Sequence, residues 1–330
     1  MTRLTKPAQV LVTESAGYSE LALQEYRRAG EVVRQDMDEA AALRPEDVGV
    51  VVVRLGLFID RAFLDQFPKL RFVVSPTTGL NHVDLETCRA RDIEVISLKG
   101  ETAFLDSITA TSELALGLML GLLRRIPEAH QHTTVDLGWN RDLFCARMVS
   151  RMTVGLVGLG RLGRQMARMC NGLGMTVIAC DPQVKDDVLV LAGATRVTLH
   201  ELAAKSDIVS LHADYRPEND GMINADFLAS CRPGTLLVNT ARGELCDEAA
   251  LAAALDSGRL GGLATDVLRD EQSGRELANH PFVKRARQGM NIIVTPHLGG
   301  CCADAMRETE EFTARKLLSR LDLSVESHAT

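Results

Sequence analysis

The chain has 330 residues, 46% of them hydrophobic and 25% charged, with a formal net charge of −7. Its length exceeds what one core usually organises and points to roughly two domains of 100–200 residues. The composition is that of a globular protein and sets aside fibrous and disordered classes, and the acidic balance disfavours nucleic acid or an acidic membrane as partner.

The longest uninterrupted apolar run, 114–123, is ten residues, half of the ~20 that span a bilayer. No long apolar segment follows Met1, so no secretory signal is expected. The eight cysteines (Cys88, Cys145, Cys170, Cys180, Cys231, Cys246, Cys301 and Cys302) show no CxxC and no framework spacing, and read as reduced thiols in the cytoplasm.

In chain order, Val10, Leu11 and Val12 form a short apolar run. Residues 18–29 follow at helical spacing (Leu21, Leu23, Tyr26), with Gly30 as the stop. Residues 48–53 hold five valines around Gly49, the near-continuous β-branched run of a strand buried on both faces. Residues 70–74 and 93–96 read the same way, with a helix starting near Asp84 between them. Strands alternating with helices imply βαβ units and a mostly parallel sheet.

Residues 103–126 place Leu105, Ile108, Leu114, Leu118, Leu122 and Ile126 at helical steps, which predicts one long helix ended by Pro127 and able to join two domains. A polar stretch with Gly138, Trp139 and Asn140 follows, and then a second alternation. Its strands are expected over 153–157, 176–180, 208–212, 235–238, 262–266 and 291–295, its helices over 162–173, 200–205, 225–230 and 248–257. Six strands with helical crossovers match a doubly wound sheet. Residues 302–321 read as a C-terminal helix.

The strand 153–157 runs directly into Gly158-Leu159-Gly160-Arg161-Leu162-Gly163, a G-x-G-x-x-G motif opening a helix. Gly158 allows the tight turn, Gly160 lets a pyrophosphate approach the backbone, and Gly163 lets helix and strand pack closely. Asp181 ends the next strand, eighteen residues past Gly163, where a carboxylate accepts hydrogen bonds from an adenosine ribose and repels a 2′-phosphate. That favours NAD over NADP, the alternative being a plain Asp-Pro turn with Pro182.

Three polar residues fall where strands of this second sheet should end: Arg242, Glu271 and His297. An arginine can hold a carboxylate with two hydrogen bonds. A histidine can exchange a proton with a substrate oxygen near neutral pH. A carboxylate beside it would favour the imidazolium and fix the ring. Each alone also reads as a surface cation, a solvated loop charge in 269–271, or a turn residue beside Pro296. Cys301 and Cys302 near His297 offer a competing nucleophilic chemistry, but no activating neighbour is visible and they read as structural. His130 and His132, at i and i+2, would not share a helical face, so no metal site is expected.

Taken together, the ordered stretches 77–85 (TTGLNHVDL), 153–164 (TVGLVGLGRLGR), 237–243 (LVNTARG), 264–267 (ATDV) and 295–300 (TPHLGG) resemble the D-isomer-specific 2-hydroxyacid dehydrogenases, and within them the phosphoglycerate dehydrogenase type. The resemblance spans about residues 48 to 305. It implies an α/β fold of two Rossmann-like, doubly wound parallel-sheet domains. A flavodoxin-like substrate domain (1–102 plus 299–330) would carry an inserted NAD-binding domain (103–298), with a cleft that closes over the substrate.

The resemblance further implies that Arg242, Glu271 and His297 are catalytic. Thr78, Gly158, Gly160, Arg161, Leu162, Gly163, Asp181, Thr240, Ala241, Asp266, Gly299 and Gly300 would line the NAD site, and the amides of Gly79 and Leu80, with Arg242, would hold the substrate carboxylate. Arg54 matches an arginine placed near the substrate's anionic end, or else simply ends a strand. The implied activity is NAD-dependent hydride transfer at C2 of a small D-2-hydroxy acid or 2-keto acid, phosphoglycerate being the first choice and hydroxypyruvate or glyoxylate the alternative. The implied assembly is a cytoplasmic homodimer built on helices around 103–126.

A non-catalytic NAD-sensing corepressor-like protein would not need the intact trio. Formate-type oxidation would want an asparagine nearer the substrate than Asn81. Departures from the family pattern are Ser112-Glu113-Leu114 on the long helix, Ala213-Asp214-Tyr215 after 208–212, Gln272 after Glu271, and a longer 271–297 segment flanked by Arg269, Arg275, Lys284, Arg285 and Arg287. These bear on the substrate side chain rather than on the core chemistry. The chain ends soon after the last helix, so no C-terminal regulatory domain is expected.

Overall fold

A computed structural model of the chain describes residues 6–36, 43–269, 271 and 276–323. The chain divides into two compact units, Met1–Ile108 with Cys302–Thr330, and Thr109–Cys301. The boundaries lie six and three residues beyond the expected 102/103 and 298/299.

In the first unit, the described residues form a five-stranded parallel sheet of β1 (Gln9–Val12), β2 (Glu31–Arg34), β3 (Val48–Val52), β4 (Phe72–Val74) and β5 (Glu94–Ile96), in the order β2-β1-β3-β4-β5. The valine run of β3 is buried throughout. Side chains alternate across a strand, so Val50 and Val52 join Phe72, Val74 and the C-terminal helix residues Ala314, Leu317 and Leu318. Val51 and Val53 join Leu11, Val73, Ile59 and Leu64 on the opposite face.

Helix Glu20–Ala29 is opened by the Ser19 side chain and closed at Gly30. Gly30 is extended, not left-handed; it is needed because a Cβ there would lie 2.7 Å from the Pro7 carbonyl oxygen. Strand β2 is an addition to the expected elements. It is a short edge strand with polar Glu31 and Arg34 at its ends, so it lacks the apolar run that marks its neighbours.

In the second unit, the described residues form a seven-stranded parallel sheet of β6 (Thr153–Val157), β7 (Thr176–Cys180), β8 (Thr195–Arg196), β9 (Ile208–Leu211), β10 (Thr235–Asn239), β11 (Leu260–Thr265) and β12 (Ile292–Val294). The order is β12-β11-β10-β9-β6-β7-β8, with the direction of winding reversing between β6 and β9. Two apolar layers cover its faces, one around Val157, Val209, Leu237 and Leu263, the other around Val154, Leu156, Val238 and Ala264. Helices Asp186–Ala192 and Pro281–Arg287 and strand β8 are further additions.

The long helix expected over 103–126 is corrected by the structure. Helix Thr102–Leu105 stops where the Ser107 hydroxyl donates to the Phe104 carbonyl at 2.8 Å, a side-chain bond that competes with helix continuation. A new helix runs Ala110–Leu123. Arg125 is left-handed (φ 50°), and Pro127 then opens a third helix, Ile126–Thr134, instead of ending the first. Proline is tolerated in a first helical turn because its missing N–H would have no partner there. Residues 102–123 match a membrane span by length and composition. The 110–123 helix, however, buries Ala115, Leu118, Met119 and Leu122 in the core beside β10 and β11.

Candidate active site

The six longer strands of the second unit all point the same way, so their C-terminal ends share one edge. Gly158 follows β6, Asp181 follows β7, His212 follows β9, Thr240–Arg242 follow β10, Asp266 follows β11 and His297 lies past β12. Ligands of open parallel sheets bind at this edge, at the point where the winding reverses.

The glycine motif is built as its spacing demands. Gly158 has φ +90°, and a Cβ there would lie 2.6 Å from the Ala213 nitrogen. At Gly163 a Cβ would meet the Gly158 carbonyl oxygen at 2.2 Å. At Gly160, the N-cap of helix Arg161–Gly172, nothing lies within 4 Å of a Cβ position, which leaves the helix N-terminus open to an anion. Asp181 is fixed by the Leu159 amide (2.8 Å) and the Gln183 amide (3.0 Å).

Among the described residues, two buried polar atoms at the same edge have no protein partner: Thr240 Oγ1 and His212 Nδ1. Thr240 and His212 directly follow the paired residues Asn239 and Leu211 of β10 and β9, so they are neighbours across the sheet end. Buried polar atoms are normally hydrogen-bonded. Two such atoms beside an open helix N-terminus and an anchored carboxylate fit a dinucleotide.

His297 Nδ1 and Glu271 Oε1 are 2.6 Å apart, with both side chains about one-third exposed. Burial alone would raise the Glu271 carboxyl. The His297 hydrogen bond and charge, the Leu268 amide and the Arg242 charge outweigh it, and the carboxyl lies below its ordinary value. Arg242 is thus close enough to act electrostatically on the pair. Its turn is held by Asn239, whose side chain donates to the Arg242 carbonyl (2.9 Å) and accepts from the Ala241 amide (3.0 Å).

His297 sits at φ +54°, a left-handed conformation uncommon outside glycine. Asp266 holds it there. This residue is 1% exposed. Its carbonyl accepts the His297 amide at 3.0 Å. Its carboxylate accepts the Thr295 hydroxyl (2.6 Å) and the amides of Leu298 (2.7 Å) and Gly299 (2.8 Å). The family resemblance implies a place for Asp266 beside the cofactor; its observed bonds organise the 295–299 loop. Gly299 is itself packed between Thr111 and Asp266, and Gly300 stays open.

In the first unit, Thr78 is exposed and Gly79 and Leu80 are half-buried, on the loop after β4. Among the described residues, neither the Gly79 nor the Leu80 amide donates to a protein acceptor. Arg54, expected near an anionic substrate group, is engaged with Glu310 and the Ala16 carbonyl. Asp270, Gln272 and Arg275 lie outside the described residues.

The competing cysteine chemistry gains little. Burial pushes the Cys170 and Cys246 thiols up to about 12 and Cys231 to about 11, while Cys301 and Cys302 are exposed. Sequence reasoning missed Asn239, His212 and Glu310. A histidine at a strand end was a usable signal for His212; nothing local marks the other two.

Residues 116–299 match the family model described as D-isomer specific 2-hydroxyacid dehydrogenase, NAD binding domain, and residues 10–206 match that of the catalytic domain. The chain belongs to the D-isomer specific 2-hydroxyacid dehydrogenase family, and 116–299 is its NAD-binding domain. It is 34% identical over 274 residues to the D-3-phosphoglycerate dehydrogenase of Mycobacterium bovis, covering 82% of this chain and 48% of that one. It spans about half the length of the curated relatives it matches.

Among solved structures, the TT0316 protein of Thermus thermophilus superposes with TM-score 0.77 at 30% identity, over 97% of this chain and 98% of that one. The apo D-lactate dehydrogenase of Escherichia coli shares the fold, with TM-score 0.78 at 24% identity over 96% and 98%.

Proposed function

We propose that this chain is an NAD-dependent dehydrogenase acting at C2 of small D-2-hydroxy acids and 2-keto acids. The observation that carries the reading is the His297–Glu271 pair at 2.6 Å, set on a strained loop and within reach of the Arg242 charge. A non-catalytic sensor has no use for such a relay.

Bound NADH supplies the hydride that reduces C2. Arg242 holds the substrate carboxylate and polarises the keto oxygen. His297 delivers a proton from Nε2 to that oxygen, giving the hydroxy acid, and takes it back in the reverse direction. Glu271 fixes the ring through Nδ1. The amides of Gly79 and Leu80 serve as carboxylate donors. Asp181 takes the adenosine ribose and selects NAD over NADP.

The test is NADH oxidation with glyoxylate, hydroxypyruvate and phosphohydroxypyruvate. Turnover of at least one is expected, with NADH used at least about tenfold better than NADPH, as a carboxylate facing a 2′-phosphate requires. NADH binding without turnover on any 2-keto acid overturns the reading. The relatives named phosphoglycerate dehydrogenase favour a phosphorylated substrate; the engagement of Arg54 favours the hydroxypyruvate or glyoxylate alternative.

The proposed assembly is a dimer of identical chains. Its support lies past the expected 103–126 region, in the apolar residues Val135, Leu137, Trp139, Leu143 and Met148, of which Leu137 is 85% and Trp139 93% exposed. Exposed apolar side chains gathered in one segment favour association. Light scattering at micromolar concentration should give twice the 35.9 kDa chain mass, and Trp139→Asp should shift the population to monomer. A monomeric wild type would rule the dimer out.

A further inference from the structure

The first unit's sheet order, β2-β1-β3-β4-β5, has its own switch point between β1 and β3. A ligand of this unit therefore meets the loops that follow those two strands. The loop after β1 brings Glu14, and the loop after β3 brings Arg54, Leu55 and Phe58.

Arg54 is already paired. Its Nε donates to Glu310 Oε1 at 3.0 Å, its Nη2 donates to the same oxygen, and its Nη1 donates to the Ala16 carbonyl at 3.0 Å. The guanidinium also lies 4.8 Å from the centroid of the Tyr18 ring. Glu310 is 1% exposed, and its other oxygen accepts the Ser19 amide at 2.7 Å. An anion that drew Arg54 away would leave this buried carboxylate without its counter-charge, which is strongly unfavourable.

The neighbourhood is also acidic. Glu14 accepts the amides of Arg54 (2.7 Å) and Gly56 (2.9 Å). Ser15 links Arg34 and Asp36 beside it. Three carboxylates (Glu14, Asp36 and Glu310) thus face two guanidiniums (Arg34 and Arg54). On the Arg54 loop, Leu55 and Phe58 are 38% and 49% exposed and present apolar surface.

We infer that Glu310 makes this chain select 2-keto and D-2-hydroxy acids with an uncharged side chain, because it neutralises the arginine on the β3 loop and so excludes a phosphate dianion. This rests on the dehydrogenase reading above and names its substrate class. Glu310 acts as a specificity determinant from outside the reacting centre.

Hydroxypyruvate and phosphohydroxypyruvate differ only by the phosphate, so their kcat/KM ratio isolates the effect. The wild type should prefer hydroxypyruvate by about a hundredfold, the scale of a like-charge exclusion. Glu310→Gln should shift the ratio at least about tenfold toward the phosphate ester, and 3-phosphoglycerate should become a tighter competitive inhibitor. A wild type that prefers the ester overturns the inference while leaving the dehydrogenase reading standing. So does a Glu310→Gln variant that is folded by circular dichroism and keeps the wild-type ratio. If that variant does not fold, the wild-type ratio and calorimetric binding of 3-phosphoglycerate to the wild type decide alone, tight binding counting against the inference. Failure to turn over any 2-keto acid overturns both readings.

Discussion

Replacing His297 with asparagine lowers kcat for 2-keto acid reduction by about 10²–10⁴-fold, the usual contribution of a positioned acid–base group. Asparagine is the informative substitution because the position has φ +54°, and asparagine, like histidine, tolerates the left-handed region. The loop held by Asp266 therefore stays in place while the imidazole is lost. NADH binding, followed by fluorescence, should change by less than about twofold, because a group that acts on the transition state contributes little to ground-state binding. A variant that retained wild-type kcat would remove His297 from the mechanism.

Glu271→Gln separates the two members of the pair. The Glu271 carboxyl lies below its ordinary value of 4.5. A depressed carboxyl contributes its effect above the ordinary value and loses it only as pH falls through the lower folded value. The pair therefore stays intact through the neutral range. Removing the carboxylate takes away the group that orients the His297 ring through Nδ1, so kcat for keto-acid reduction should fall by at least about tenfold in Glu271→Gln while NADH binding is kept. An unchanged kcat would leave Glu271 as a mere structural contact.

The second large effect is on stability. His212 is buried, bonded at Nε2 to the Ser210 hydroxyl (2.9 Å), and burial pushes its pKa from 6.5 down to about 4. Between those two values the unfolded chain binds a proton that the folded chain refuses. Stability therefore rises with pH across this window; the contribution is complete above 6.5 and lost as pH falls to about 4. The shift corresponds to about 3 kcal/mol.

Hydrogen-exchange protection of the β6, β9 and β10 amides should fall by about that amount as the pH is lowered from neutrality to about 4. His212→Gln, which cannot titrate, should flatten the slope. An equal slope in the variant would assign the loss to other groups. The same variant tests the unpartnered Nδ1, since a dinucleotide that uses this atom binds more weakly when it is replaced.

Much of the second unit was legible because its strands are buried on both faces. Val154, Leu156, Val238 and Leu237 had to be apolar whichever way they pointed, so 153–157 and 176–180 were readable to the residue. The glycine spacing was legible for a related reason. A Cβ at Gly158 or Gly163 collides with backbone, and backbone cannot move aside as a side chain can.

The misreadings share a different cause. The 103–126 segment kept helical spacing across a break made by one Ser107 hydroxyl and one left-handed Arg125. Apolar periodicity does not record such single bonds. Helices Asp186–Ala192 and Pro281–Arg287 bury little apolar surface, two residues in one and one in the other, so their pattern was faint.

By itself, the sequence determined the strand–helix alternation, the dinucleotide turn and the strand ends that carry Arg242, Asp266 and His297, because each follows from periodicity or from backbone geometry within a few residues. Only the tertiary structure decided which charges meet. Glu271 reaches His297 from 26 residues away, and Glu310 reaches Arg54 from 256 away. A carboxylate's partner is set by the packing of whole elements, and no local pattern along the chain encodes it.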